Sequence, residues 1–421
     1  MASPSRIDEA LGFNPAPPAR MHIDINSCFA TIEQQANPLL RGRPVAVAAY
    51  TTPSGCIVAP SIEAKTFGVK TGMRVKDGRI LCPGLIVLPP DPNKYRYIHL
   101  ALRRLLGEYT DRLTAASIDE FSLNLAGCPA LRVGIVESAR QIKRRITAEV
   151  GDWLRVSIGI STNRWLAKQA AGLRKPDGLD VIDASNYREV YAAWELTDLK
   201  GINVRLAARL HAADIHTVTD MAAAESWELR SALHSILGHQ WYVRLRGWEA
   251  DDVEFPRRSY GAAYALPEPL SGPEQLAPIL AKLIEKASGR MRAAGYHCHG
   301  VSVAVDYRDG NSWQERQRTL RVLAESREVT RRAYLLLTRS PHAGPVRSLS
   351  VALYDLTDAA TVQAGLFDDT DDKRLRLVAA VDGINQRYGP YTCGPATLLL
   401  AGDAVQDRIS FGTVGDLDVP A

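Results

Sequence analysis

The sequence predicts an α+β protein of several domains, and three features lead there. Strand and helix patterns alternate irregularly from residue 21 to 182, strand patterns vanish between 183 and about 250, and a β-α-β-β-α-β order follows from 263 to 356. With 421 residues, 46% hydrophobic and 23% charged, the chain has a globular composition and enough length for about two to four domains.

The first 20 residues, MASPSRIDEALGFNPAPPAR, carry several prolines and lack the basic-then-apolar order of a secretion signal, so they read as a flexible leader. In RMHIDINSCF, Met21, Ile23 and Ile25 alternate with His22, Asp24 and Asn26. That is the period of a half-buried strand, with Asp24 opposite the apolar face or at the strand's end. FATIEQQANPLL predicts a helix closing before Pro38, RPVAVAAY a strand, and CIVAPSIEAKTFGVKTGM a strand leading into a short helix that ends at Gly68. LIVLPP adds a strand, and PNKYRYIHLALRRLL has helical spacing from 92 to about 106. SIDEFSLNL is an acidic strand, 131–150 an amphipathic helix with Lys143, Arg144 and Arg145 outward, RVSIGISTN a strand, and RWLAKQAAGLRKPDG a helix stopping near Pro176. Strands 21–27, 115–125 and 155–160 suit one antiparallel sheet backed by helices, which would gather Asp24, Asp119 and Glu120.

In the strandless stretch, LKGINVRLAARLHAADIHTVTDM predicts two short helices joined through glycine and asparagine, suited to present backbone N–H groups to a phosphate or to plain packing. EADDVEFPRRS reads as a linker. The β-α-β-β-α-β order then comprises YGAAYAL, a helix over 273–294, GVSVAVDY, WQERQRTLRVL, a helix over 325–339, and VRSLSVALYDL. The polar remainder holds one isolated apolar pair, Leu366 and Phe367, and reads as a disordered stretch with a docking anchor.

Composition excludes several classes. No run approaches the length of a membrane span, so a cytoplasmic protein with no membrane partner is expected. The six cysteines are scattered without a CxxC pair, which points to reduced packing residues, and in HCH at 297–299 strand geometry would send Cys298 to the face opposite both histidines. The net charge of +4 conceals an asymmetry: 15 Lys/Arg against 8 Asp/Glu over 257–347, then 5 against 10 from 356 onward. One-sided basic charge suits a phosphate backbone as well as a solvated surface.

Asp119 and Glu120 stand side by side, framed by Ile118, Phe121, Leu123 and Leu125. A desolvated carboxylate needs a partner, so the pair calls for an arginine, a lysine or a metal ion. Neighbouring residues on an ideal strand face opposite ways, so the two converge only at a strand end, turn or bulge. With Asp24 they suit two-metal catalysis on a phosphate, and Mg²⁺ is the ion that takes a few carboxylates plus substrate oxygens.

HIDINSCFATIEQ, GCIVAPSIEAKTFGVKTGM, SIDEFSL, SIGISTNRWLAKQAAGLRKPDG and KGINVRLAARL, in this order and spacing, resemble the Y-family (translesion) DNA polymerases over roughly residues 20–400. The resemblance implies a right-hand polymerase: palm at 21–30 and 92–182, fingers at 31–91, helical thumb with a helix-hairpin-helix element at 183–252, linker at 253–262, little finger at 263–356, and an acidic tail at 357–421. It implies low-fidelity, template-directed DNA synthesis in damage bypass, from dNTPs onto the primer 3′-hydroxyl. Asp24 and Asp119 would hold both of two Mg²⁺ ions, for which Mn²⁺ can substitute. Ile25 would lend a carbonyl, and Glu120 would bind the ion nearer the primer. Cys28 and Phe29 would contact the nucleotide, Phe29 as the steric gate against a ribose 2′-hydroxyl. Lys65 and Lys175 would hold the triphosphate, and Gly201 and Asn203 the DNA backbone.

Three departures, Ile62, Lys65 and Asn26, lean toward the polymerase V catalytic subunit rather than polymerase IV. GIN lacks the hairpin's second glycine, for which Asn203 would substitute by tolerating a left-handed backbone. QAGLF at 363–367 looks like the peptide that docks on the bacterial sliding clamp, with Gln363 hydrogen-bonding and Leu366 and Phe367 filling a pocket. The implied partners are primer-template DNA, dNTPs and the clamp, with accessory polymerase subunits or a recombinase following from the polymerase V leaning. A second reading is a non-catalytic DNA- and clamp-binding scaffold, which loss of the acids would mark; all three are present. A generic metal-dependent nuclease leaves Phe29, Lys65 and Lys175 unexplained.

Overall fold

The alternation in RMHIDI folds as a strand, β1 (Arg20–Ile25), and α1 (Cys28–Ala36) follows after a left-handed turn at Ser27. In chain order come β2 (Val45–Ala48), β3 (Ile57–Pro60), α2 (Ile62–Thr66), α3 (Val75–Leu81), β4 (Ile86–Leu88) and α4 (Pro92–Gly107). Asp91 starts α4 by accepting the N–H groups of Asn93 and Lys94, with Pro92 at the first helical position where no donor is needed. Then follow β5 (Leu113–Ala115), β6 (Glu120–Asn124), α5 (Ile135–Arg145), β7 (Val156–Ser161), α6 (Arg164–Ala170) and β8 (Leu179–Ile182).

This computed structural model describes residues 11–252, 256–362 and 369–405, and the chain divides between Glu254 and Phe255 into two units. The first unit holds a five-stranded sheet, β5-β6-β1-β7-β8, and a small sheet, β3-β2-β4. β1 is central and antiparallel to β6 and β7, which places Asp24 opposite both Glu120 and Ser157. The expected gathering of three strands is therefore present.

α6 packs on β1 and β7 at a point where only glycine fits. A Cβ at Gly159 would stand 2.1 Å from the Ala167 carbonyl oxygen and 2.1 Å from the Ala171 nitrogen, so helix and strand meet main chain to main chain. Asn163 caps α6 through the Leu166 N–H and donates its amide to the carbonyls of Arg244 and Trp248. Arg244 belongs to, and Trp248 follows, the helical stretch that completes the unit: α7 (Tyr187–Ala192), α8 (Val204–His211), α9 (Val218–Ala223), α10 (Ser226–Leu233) and α11 (Leu237–Leu245).

The second unit comprises β9 (Ser259–Leu270), α12 (Gly272–Ala293), β10 (Tyr296–Tyr307), β11 (Ser312–Leu323), α13 (Ser326–Leu337), β12 (Val346–Asp358) and α14 (Asp369–Tyr388). Its antiparallel sheet, ordered β11-β10-β12-β9, buries Val301, Val303, Val305, Leu349, Val351 and Leu353 against the helices. β11 leaves Gln314, Arg316, Arg318 and Leu320 exposed. Cys298 is buried and His297 and His299 are half-buried, and among the described residues the three do not gather as a ligand cluster.

Three expectations need correction. Residues 1–10 of the flexible leader lie outside the described residues, but 11–19 are strapped down. Phe13 stacks on Tyr187 at 4.0 Å, Leu11 N–H donates to the Tyr242 hydroxyl, and Asn14 N–H to the Arg246 carbonyl. Two apolar side chains and a few donors suffice to fix a chain whose prolines leave little freedom. The linker at 253–262 is too long, because Gly261 and Ala262 already pair with β12. The acidic tail is structured over 369–405: Arg292, almost buried, holds Asp382 of α14 at 2.6 Å, and Lys282 donates to the Gly402 carbonyl at 2.8 Å. No helix among the described residues is long and apolar enough to cross a membrane.

Candidate active site

The sheet's centre ends in a cluster of opposed charges. Asp24, on the penultimate residue of β1, meets the Lys175 ammonium at 2.6 Å, and Glu120, the first residue of β6, meets Lys168 of α6 at 2.7 Å. His22, one strand repeat before Asp24, brings its Nε2 to 3.8 Å from Glu120, an electrostatic distance rather than a hydrogen bond. Ligand atoms of His22, Asp24 and Glu120 lie within 4.8 Å of one another. Burial alone would raise the Glu120 carboxyl, but His22 and Lys168 reverse this and hold it well below the usual range.

Asp119 precedes β6 in a bend, the strand-end placement that lets neighbouring acids share a side. β1 and the preceding bend frame it: the Asp119 carbonyl accepts Ile25 N–H at 3.0 Å, and its carboxylate accepts the Ser117 hydroxyl. Burial pushes this carboxyl up to about 6, and repulsion from Asp24 and Glu120 adds to the rise against the Ser117 bond. Among the described residues, Asp119 has no ion pair while Asp24 and Glu120 have lysines. Oxygen donors gathered beside a carboxyl that burial and like charge raise fit a divalent cation.

The remaining expected residues have the following surroundings. Lys65 of α2 is held below the ordinary lysine range by burial and by Lys175, with Asp24, the acid that Lys175 contacts, acting in the opposite sense. The buried Cys28 thiol is pushed well up by desolvation, then by Asp119 and Asp24. Phe29 is 1% exposed and stacks on Tyr95 of α4, with ring centroids 4.4 Å apart and planes 16° apart. Tyr95 in turn donates to Glu33 at 3.0 Å, and Glu33 accepts Lys94 at 2.8 Å.

Gly201 has φ +114, a conformation other residues adopt at a cost, and an added Cβ would press to 3.1 Å from the Trp241 ring. Asn203 departs from expectation: its φ is −101, and it caps α8 through the N–H groups of Arg205 and Leu206 instead of taking a left-handed backbone. The helix start needed a side-chain acceptor, which a second glycine would not supply. Gln363, Leu366 and Phe367 lie outside the described residues.

Sequence reasoning missed His22, Lys168 and Lys200. Lys200 donates to the Lys168 carbonyl at 3.0 Å, and burial lowers its ammonium, with Lys175 and Lys168 adding to the effect. For His22 a signal existed, since it shares the strand face of Asp24.

The family model described as impB/mucB/samB family matches residues 23–172, and that of the family's C-terminal domain matches 257–366. The DNA polymerase IV of Pelotomaculum thermopropionicum is 32% identical over 392 residues, covering 91% of this chain and 96% of that protein. The chain belongs to the Y-family DNA polymerases. The DNA polymerase IV of Moorella thermoacetica is 34% identical over 376 residues, covering 87% and 92% respectively. Among solved structures, a Y-family DNA polymerase chimera built on Dbh superposes with a TM-score of 0.71 over 80% of this chain and 99% of that one, at 24% identity, and it shows the same multidomain right-hand fold. These Y-family relatives carry the polymerase IV name, so the leaning toward polymerase V drawn from Ile62, Lys65 and Asn26 finds no support in them. Y-family polymerases are metal-dependent, which agrees with the donor set at the end of β1.

Proposed function

We propose that this DNA-directed, translesion-type DNA polymerase performs nucleotidyl transfer at Asp24, Asp119 and Glu120. The observation that carries the reading is the pairing of Asp24 with Lys175 and of Glu120 with Lys168 at adjoining strand ends, beside the raised Asp119. The three carboxylates and the Ile25 carbonyl would hold two Mg²⁺ ions, with Mn²⁺ able to substitute. Bound there, the metal supplies activation of the primer 3′-hydroxyl and neutralisation of the charge that develops on pyrophosphate. The chain's own work is placement and charge. Lys175 and Lys65 bind the triphosphate oxygens. Phe29, backed by Tyr95, occupies the space a ribose 2′-hydroxyl would need, and Cys28 lies beside it. Palm, fingers, thumb and little finger are assigned as the resemblance implies, with the little finger extended to begin at β9, and Gly201 with the α8 start facing the DNA backbone.

Purified chain with Mg²⁺ and dNTPs should extend a primed template by the complementary nucleotide and lose that activity in excess chelator, regaining it with Mg²⁺. Binding of primed DNA without extension under any divalent ion would favour the scaffold reading.

For partners beyond DNA and dNTPs, we propose the bacterial sliding clamp, on the strength of QAGLF. Accessory subunits or a recombinase have no separate support. Leu366→Ala with Phe367→Ala should abolish clamp binding by titration and leave distributive synthesis unchanged. Undiminished affinity would remove the docking peptide.

A further inference from the structure

The proposed function leaves Asn26 unused. We propose that Asn26 is a positioning residue that holds Lys175 in place and so sets the affinity for the incoming triphosphate. The proposal rests on the reading of Lys175 given above.

Asn26 follows the last residue of β1 and is 4% exposed, its N–H donating to the Arg155 carbonyl at 2.8 Å. Its side-chain oxygen accepts the backbone N–H of Asp177 at 2.7 Å. The same amide pairs with the hydroxyl of the fully buried Ser157, at 3.0 Å from its nitrogen and 3.1 Å from its oxygen. Ser157 reaches on to the Gly178 N–H at 3.3 Å, and Lys143 meets the Asp177 carboxylate from another side at 2.8 Å. The loop is thus pinned at 177 and 178, and two residues earlier Lys175 meets Asp24, itself two residues before Asn26. Strand end and loop are joined twice, once by a charged contact and once by a neutral one.

The neutrality matters. A carboxylate at 26 would keep the acceptor for Asp177 N–H but lose the donor to Ser157. It would also add a fourth acid to the cluster, beside Asp24, and compete for the Lys175 ammonium. An amide fixes the loop and leaves the lysine undivided.

The test is single-turnover insertion of one dNTP on primed DNA, giving the dNTP Kd and the saturated rate separately. It compares wild type with Asn26→Ala, Ser157→Ala, Lys175→Ala and the Asn26→Ala, Lys175→Ala double variant. Asn26→Ala should raise Kd about tenfold with a smaller loss of saturated rate, and Ser157→Ala should shift it in the same direction. In the Lys175→Ala background, Asn26→Ala should add nothing, since coupled residues are not additive. An additive effect, or an unchanged Kd in Asn26→Ala, overturns the proposal. An unchanged Kd in Lys175→Ala alone overturns the reading of the lysine, and a Kd still raised by Asn26→Ala would then belong to another route. Should Asn26→Ala fail to fold, Ser157→Ala, which removes one hydroxyl, carries the same comparison, and an unchanged Kd there is equally decisive against.

Discussion

Asp24→Asn should slow nucleotide insertion by about 10³-fold or more while leaving DNA affinity and the melting midpoint near wild type. The substitution keeps the shape of a side chain that is 8% exposed, so packing at the end of β1 is preserved. It removes the negative charge that holds Lys175 at 2.6 Å and that, with Glu120 directly opposite, gives the cluster its pull on cations. A neutral amide binds a hard divalent ion far more weakly than a carboxylate. The measurement is single-turnover primer extension, with fluorescence anisotropy for DNA and a thermal melt as controls. A loss smaller than about tenfold would take Asp24 out of the chemistry.

Phe29→Ala should raise ribonucleotide insertion so that the dNTP over rNTP preference in kcat/KM falls by about 10²-fold. The Phe29 ring is fully packed, and the Tyr95 ring it stacks on is itself tethered through Glu33 to Lys94. A ring so backed has little room to swing aside, so under the proposed gate role exclusion of a 2′-hydroxyl would be steric. Truncating a core phenylalanine costs about 3 to 5 kcal/mol, so Phe29→Leu serves as a milder companion, with a smaller shift in the same direction. Unchanged sugar selectivity in both variants would end the gate assignment.

Much of this was legible in the sequence because it depends on local pattern. The alternation of Met21, Ile23 and Ile25 marks β1, and the strand-helix order after 258 marks the second unit. What the pattern could not give was burial on the polar face. His22 and Asp24 alternate like solvent-facing residues, yet β1 lies inside the sheet and α6 covers that side, so both are buried. Lys168 and Lys200 look like ordinary surface lysines until α6 and the segment before α8 bring them beside Glu120. The α14 helix was hidden for a related reason: its charge-rich start reads as disorder, and the partner that holds it, Arg292, lies some ninety residues earlier. Asn203 was read for its backbone tolerance when its side-chain acceptor is what the helix uses.

The contact at Gly159 limits which sequences can build this site. Every other residue adds at least a methyl group where the α6 main chain already stands, so the position admits no substitution without moving the helix. Its neighbours Ile158 and Ile160, both buried, can be exchanged for aliphatic residues of like volume at modest cost. The separation between β7, which pairs with the strand that carries Asp24, and the helix that carries Lys168 is therefore a main-chain dimension, untouched by drift among core side chains and vulnerable to one carbon atom.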